Sequence, residues 1–242
     1  VEVEPAFAQA GGRLAGAAYC PDDESGDSRL FTLRLAEACR ELGVEMRFDC
    51  RVGRLVGGHG RLDCVRTSSG DLEADAYVLC AGVEAPLLTR PLGFDLPIYP
   101  VKGYSLTFPV AEGHDAPAIG GVDEDRLMAF SRLGPRLRVT ASAEIAGYDD
   151  GFEPDDFVHM TRSFSELMPN AADYGRPGYW ACLRPMTPNG LPLVGRGPLS
   201  NLYLNTGHGN MGWTMACGSA RLVADAVAGR DPDIPLAPYA LH

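Results

Sequence analysis

The chain has 242 residues, 45% of them apolar, enough for a sizeable buried core in one large or two small domains. Its formal net charge is −11 and no basic cluster interrupts it, which argues against a nucleic-acid partner, because phosphate neutralisation needs Lys and Arg gathered on one face. No apolar run approaches the ~18 residues of a membrane-spanning helix, and no basic, apolar leader opens the chain.

Residues 1–26 mix Gly, Ala and acidic residues around Pro5 and Pro21 and read as loop with at most a short strand. A helix is expected from Asp27: Asp27 or Ser28 can cap it, Phe31, Leu35, Ala38 and Leu42 share a face, and Gly43 ends it. Val44, Met46 and Phe48 then alternate as a strand, and Arg51–Val56 and Arg61–Thr67 form hairpin arms around Gly57-Gly58-His59-Gly60. Ala76–Gly82 reads as a buried strand whose small carboxyl end lets a ligand approach, or as a core strand with a tight exit; a short helix through Val83–Leu88 follows.

Near Pro91 the texture changes to successive strand signals, a candidate domain boundary. Residues 98–108, 118–122, 126–131 and 136–141 read as mainly antiparallel strands, with turns at Gly120-Gly121 and Leu133-Gly134-Pro135. Asp155–Met168 is expected as a helix with Phe157, Met160, Phe164 and Leu167 on one face. Tyr179–Arg184 is a last strand of this layer, ended by Pro185.

The C-terminal region carries the most distinctive stretch. Leu202–Leu204 is a brief strand, Gly207, Gly209 and Gly212 supply a sharp turn, and Met211, Met215, Gly218, Leu222, Val223 and Ala226 recur at helical spacing before Gly229. Such a turn presents backbone N–H groups at a helix start and can stabilise an anion, or merely lets a helix pack on a sheet. Gly207-x-Gly209-x-x-Gly212 matches the dinucleotide fingerprint formally, but the strand–helix–strand unit of about thirty residues that should follow has no room before the chain ends.

The seven cysteines contain no Cys-x-x-Cys pair and several lie in apolar runs, a reduced, cytoplasmic pattern without a structural metal site. The histidines are dispersed, and only His208, inside the glycine-rich turn, has a suggestive setting.

Two motifs occur together: Cys182-Leu-Arg-Pro-Met-Thr-Pro-Asn-Gly-Leu-Pro-Leu-Val-Gly-Arg196 and Asn201-Leu-Tyr-Leu-Asn-Thr-Gly-His-Gly-Asn-Met-Gly-Trp-Thr-Met-Ala-Cys-Gly218. With Pro21–Asp27, Asp75–Gly82 and Tyr99–Ser105 in the same order and spacing, the sequence resembles the D-amino acid oxidase and glycine oxidase superfamily of flavoproteins over nearly its whole length. The Gly-Trp-Thr-Met-Ala-Cys-Gly run is similar to that of its D-amino acid dehydrogenase small-subunit branch. Such proteins open with a strand, Gly-x-Gly-x-x-Gly and helix for the flavin pyrophosphate, which this sequence lacks, so an N-terminally truncated portion is expected.

The resemblance implies an α/β (α+β) fold: a partial FAD-binding Rossmann-like layer from residues 1–90 and 191–242, and a mainly antiparallel substrate-binding sheet with helices on one side from 91–190. It implies oxidative deamination of a D-amino acid by hydride transfer to FAD. Arg184 would bind the substrate carboxylate through its two-pronged guanidinium, or form a surface ion pair. Tyr104 is a catalytic candidate from its place in Lys102-Gly-Tyr-Ser105, or an ordinary sheet tyrosine; Lys102 and Tyr148 are weaker ones. His208 would shape the turn or bond the cofactor rather than act as a base. Ala81, Gly82, Gly207, His208, Gly209, Asn210, Met211, Gly212, Trp213 and Thr214 would line the flavin. Expected partners are a D-amino acid and an electron acceptor of the respiratory chain; peripheral contact with the inner membrane and homo-oligomerisation are left open. A glycine/sarcosine-type amine oxidase and a non-catalytic, cofactor-free fragment stand as the alternatives.

Overall fold

A computed structural model describes residues 2–241. Tight 3-10 turns run over Pro5–Arg13, with Pro5 at the first helical position and Glu4 as cap. Helix α1 spans Ser28–Glu41, and the Asp27 carboxylate accepts from the Leu30 amide at 3.0 Å. Strands β1 (Val52–Gly58), β2 (Arg61–Thr67), β3 (Gly70–Leu72) and β4 (Tyr77–Leu79) follow, then the short helix α2 (Ala85–Thr89) between 3-10 turns. Next come β5 (Tyr99–Pro109), β6 (Gly121–Asp123), β7 (Met128–Leu133), β8 (Arg136–Glu144), helix α3 (Val158–Leu167) and β9 (Gly178–Met186). Strands β10 (Leu193–Arg196) and β11 (Leu202–Thr206) precede helix α4 (Gly212–Val227).

The chain divides into two compact units: Val1–Cys39 with Lys102–Cys182, and Arg40–Val101 with Leu183–His242. In the first, the strands form a sheet of order β6-β7-β8-β5-β9, with β5–β8, β6–β7 and β7–β8 antiparallel. Its core joins Leu106 and Phe108 of β5, Leu137 and Val139 of β8, and Phe157, Phe164 and Met168 around α3. Edge-to-face rings such as Phe108 and Tyr174, 5.0 Å apart, add orientation to the packing.

The second unit holds two three-stranded sheets, β1-β2-β3 and β10-β11-β4. The β1–β2 turn falls at His59 and Gly60, both with positive φ, as a two-residue hairpin requires. In the other sheet β11 runs antiparallel to β10 and parallel to β4. The Asn201 side chain ties its base to β2, accepting from the Leu62 amide at 2.8 Å and donating to the Leu62 carbonyl at 2.9 Å. Leu62, Leu96, Leu202 and Leu204 are buried in the same core cluster.

The structure corrects several sequence expectations. Residues 5–13 are helical rather than loop, because Glu4 caps them and Ala6 and Ala10 are buried. Val44–Phe48 alternates but forms no strand; no ladder partner lies beside it among the described residues, and Phe48 is exposed. The run 76–82 shortens to β4, whose Val78 is exposed, and the expected helix after it starts as a 3-10 turn at Gly82–Glu84 that runs into α2. Gly121 opens β6 instead of making a turn: the Phe130 ring lies 2.7 Å from where a Cβ would sit, so packing demands the glycine. Pro185 does not end β9, which occupies a sheet edge where a missing N–H is tolerated. Strand β10 has only four residues and carried no strand signal of its own.

Candidate functional site

Strands β4 and β11 are parallel neighbours, so their carboxyl ends open at the same edge of the sheet. Ala81 and Gly82 follow one strand and Gly207 the other, and the Thr206 hydroxyl donates to the Gly82 carbonyl at 3.3 Å, joining the two exits. This edge of an open sheet, beyond the strand ends, is where such folds receive ligands.

The glycines of the second exit are required by close packing. Gly207 has φ +77, and a Cβ there would lie 2.9 Å from Thr187 Cγ2; Gly209 has φ +55, and a Cβ would lie 2.9 Å from Met186 Sδ. Met186 is the last residue of β9 and Thr187 follows it, so this segment props the turn from beneath. Arg184 sits two residues before Met186, and strand alternation puts the two on one face of β9.

After the turn, Gly209–Met211 makes a 3-10 turn that passes directly into α4, with His208 in the N-cap position. The first amides of such a helix lack intrahelical acceptors and point outward. Asn210, Met211, Trp213 and Thr214 are exposed along this start, while Gly212 is half-buried. Farther along, α4 buries Val223 against Val194 and Tyr203.

His208 is half-buried and its Nε2 lies 3.1 Å from the Ser219 hydroxyl, one α4 face farther on. Burial holds the imidazole below its ordinary pKa, so the neutral ring is favoured.

Tyr104 belongs to the first unit and sits in a different polar cluster. Its ring is buried edge-on to Phe157, and its hydroxyl donates to Glu144 Oε2. That hydrogen bond, with burial, raises the phenol above its usual pKa. Lys102, two residues earlier, is 3% exposed. Its Nζ donates to Asp149 Oδ2 at 3.2 Å and to the Gly151 carbonyl at 2.9 Å, with Glu144 Oε2 at 3.5 Å. Burial pulls the ammonium down, but the Asp149 hydrogen bond and the surrounding negative charge outweigh it and hold the lysine above its ordinary value.

Among the sequence candidates, the second unit therefore brings together Ala81, Gly82 and the Gly207–Thr214 turn, with Arg184 on the strand that supports it. Sequence reasoning missed Met186, Thr187 and Ile98 as the floor beneath the glycines. It also missed Ser219 as the partner of His208, and Glu144 and Asp149 as partners of Lys102. Among the described residues no group of three or more His, Cys, Asp or Glu could hold a metal ion, all seven cysteines are free, and no helix is long and apolar enough to cross a membrane.

Comparison with known proteins gives this arrangement a context. The chain is 48% identical to D-amino acid dehydrogenase 2 of Mesorhizobium japonicum and 46% identical to D-amino acid dehydrogenase of a Methylobacterium species, over 97% of its own length in each case. It spans 56% of the length of each of these relatives. Among solved structures, glycine oxidase from Geobacillus kaustophilus shares the fold with a TM-score of 0.86 at 24% identity, over 98% of this chain and 63% of that one. L-proline dehydrogenase from P. horikoshii does so with a TM-score of 0.74 at 18% identity, over 87% and 57%. The family model for FAD dependent oxidoreductases matches residues 1–226, glycine-rich turn and most of α4 included, and the chain belongs to that family.

Proposed function

We propose that this chain serves the FAD-dependent oxidation of D-amino acids to 2-oxo acids and ammonia. The observation that carries the reading is the 48% identity, over 97% of the chain, to a D-amino acid dehydrogenase. The edge formed by Ala81, Gly82 and the turn fits a flavin: small residues stand at both strand exits, Ala81 and Gly82 on one and Gly207 and Gly209 on the other, and a Cβ at Gly82 would meet nothing within 4 Å, leaving open space in front of the strand end.

FAD, when bound, supplies the two-electron acceptor for the hydride leaving the substrate Cα; the imino acid then takes up water and releases ammonia. The chain's own part is to hold and orient. Ala81, Gly82 and Gly207 through Thr214, His208 among them, line the cofactor, and backbone N–H groups at the start of α4 stabilise negative charge developing there. Arg184 grips the substrate carboxylate, a task suited to its planar fork. Tyr104 stands as a candidate on the substrate side through its link to Glu144. We assign residues 1–90 and 191–242 to the cofactor side and 91–190 to the substrate side, although residues 1–39 form one compact unit with 102–182. Electrons pass to a respiratory acceptor, from a site on the cytoplasmic side of the membrane.

The test is an absorption spectrum of the purified chain with FAD, before and after D-alanine. A bound flavin band near 450 nm that bleaches with D-alanine, and bleaches far less in Arg184→Lys, supports the proposal. A bound flavin indifferent to D-amino acids overturns it, and reoxidation by oxygen at the full turnover rate would favour a glycine/sarcosine-type amine oxidase.

A further inference from the structure

Ser219 is 7% exposed on the inner face of α4, and its hydroxyl has two partners. One is the Ala216 carbonyl at 3.2 Å, and the other is His208 Nε2 at 3.1 Å. A hydroxyl carries a single hydrogen, and a carbonyl can only accept. Both contacts are hydrogen bonds only when Oγ–H goes to Ala216 and Nε2–H donates to Oγ. The reverse arrangement, with Oγ–H on Nε2, forfeits the bond to Ala216.

A neutral imidazole has one N–H, so a proton on Nε2 leaves Nδ1 as a bare lone pair. His208 occupies the N-cap position of the 3-10 turn Gly209–Met211, yet its side chain takes no capping hydrogen bond from the backbone. Among the described residues the imidazole's hydrogen bond is the one to Ser219.

We propose that Ser219 is a positioning residue that fixes His208 as the Nε2–H tautomer, so that the imidazole offers Nδ1 to the turn as a hydrogen-bond acceptor and not as a donor. The ligand this favours brings a hydroxyl or an N–H to that position. The role for such a ligand rests on reading Gly207–Thr214 as the cofactor face; the tautomer does not. Burial of the ring favours its neutral form, which the arrangement requires.

Long-range proton–nitrogen NMR on histidine-labelled chain, with His208 assigned from His208→Gln, tests this directly. The expected result is a protonated Nε2 with a slowly exchanging hydrogen and an unprotonated Nδ1. In Ser219→Ala, which is a better helix former and retains the fold, exchange of the Nε2 hydrogen should speed up roughly two- to tenfold, the worth of one neutral hydrogen bond. Ser219→Thr, which keeps the hydroxyl, should restore the slow exchange. A proton on Nδ1 in the wild type, or exchange unchanged in Ser219→Ala, overturns the proposal. The readout needs no flavin, so a failure of FAD to bind favours the cofactor-free reading of the chain and leaves this tautomer untouched.

Discussion

Helix α3 sinks Met160, Phe164 and Leu167 into the core of the five-stranded sheet, each no more than 4% exposed, whereas α1 keeps Leu30, Phe31, Leu33 and Leu35 between 40% and 50% exposed. Both have apolar residues at helical spacing. The difference is that α3 meets Leu106, Leu137 and Val139, residues distant in sequence, while α1 buries none of its residues. Helix α1 starts on the Asp27 cap on the Leu30 amide and the Thr32 hydroxyl on the Ser28 carbonyl, and Arg136 of β8 donates to that Asp27 carboxylate at 2.8 Å. Periodicity announces which face of a helix is apolar; the rest of the fold decides whether that face is covered. Helix α4 lies between these extremes, with Ser219, Val223 and Asp225 buried and Trp213 and Val227 exposed.

Substitutions can sharpen this contrast. Phe164→Ala on α3 should cost about 3–5 kcal/mol in urea unfolding, because it empties a fully enclosed site. A loss below ~1 kcal/mol would mean that the core tolerates collapse and that burial on α3 is not what distinguishes it. At the entry to α4, Gly207→Ala should cost about 1–3 kcal/mol, since the new methyl must adopt φ +77 and meet Thr187 at 2.9 Å; unchanged stability would show the turn to be pliable.

A smaller effect is expected from His208. Its native pKa lies below the ordinary 6.5 because of burial, so as pH falls the unfolded chain takes up the proton first. The associated stability is present above pH 6.5 and is lost as pH falls from 6.5 to the lowered native value. His208→Gln should remove that part of the slope between pH 5 and 7.5 in denaturant titrations. An identical slope in the variant would assign the pH dependence elsewhere. The smallest change belongs to α1: Leu35→Gln should move stability by less than about 0.5 kcal/mol. A loss as large as that of Phe164→Ala would erase the distinction between the two helices.

Much of the first unit was legible in the sequence because its signals are local. Alternation in residues 98–108 and 136–141 became β5 and β8, and the four apolar positions from Phe157 to Leu167 became the buried stripe of α3. The glycine-rich turn was legible because few backbones other than a sharp strand-to-helix exit call for glycines so close together. What escaped depends on residues brought together over long distances. Met186 and Thr187 gain their meaning from Gly209 and Gly207, Asp149 gains its own from Lys102, and Val44–Phe48 alternates like a strand with nothing to pair. Ser219 reads as an ordinary helical serine until His208 is seen beside it.

The Asn201 bridge to Leu62 joins residues 139 positions apart, and the parallel pairing of β4 with β11 spans nearly as much chain. Closing so long a loop is entropically costly and slows folding when it must precede other contacts. Within the five-stranded sheet, however, β5 and β9 are neighbours: the chain enters that sheet by one strand and leaves by the adjacent one. If that sheet assembles first, it gathers the ends of the intervening segment and leaves a far shorter loop for β11 to close. The order of assembly is then written into the topology, with the antiparallel sheet early and the edge that carries Gly82 and Gly207 late.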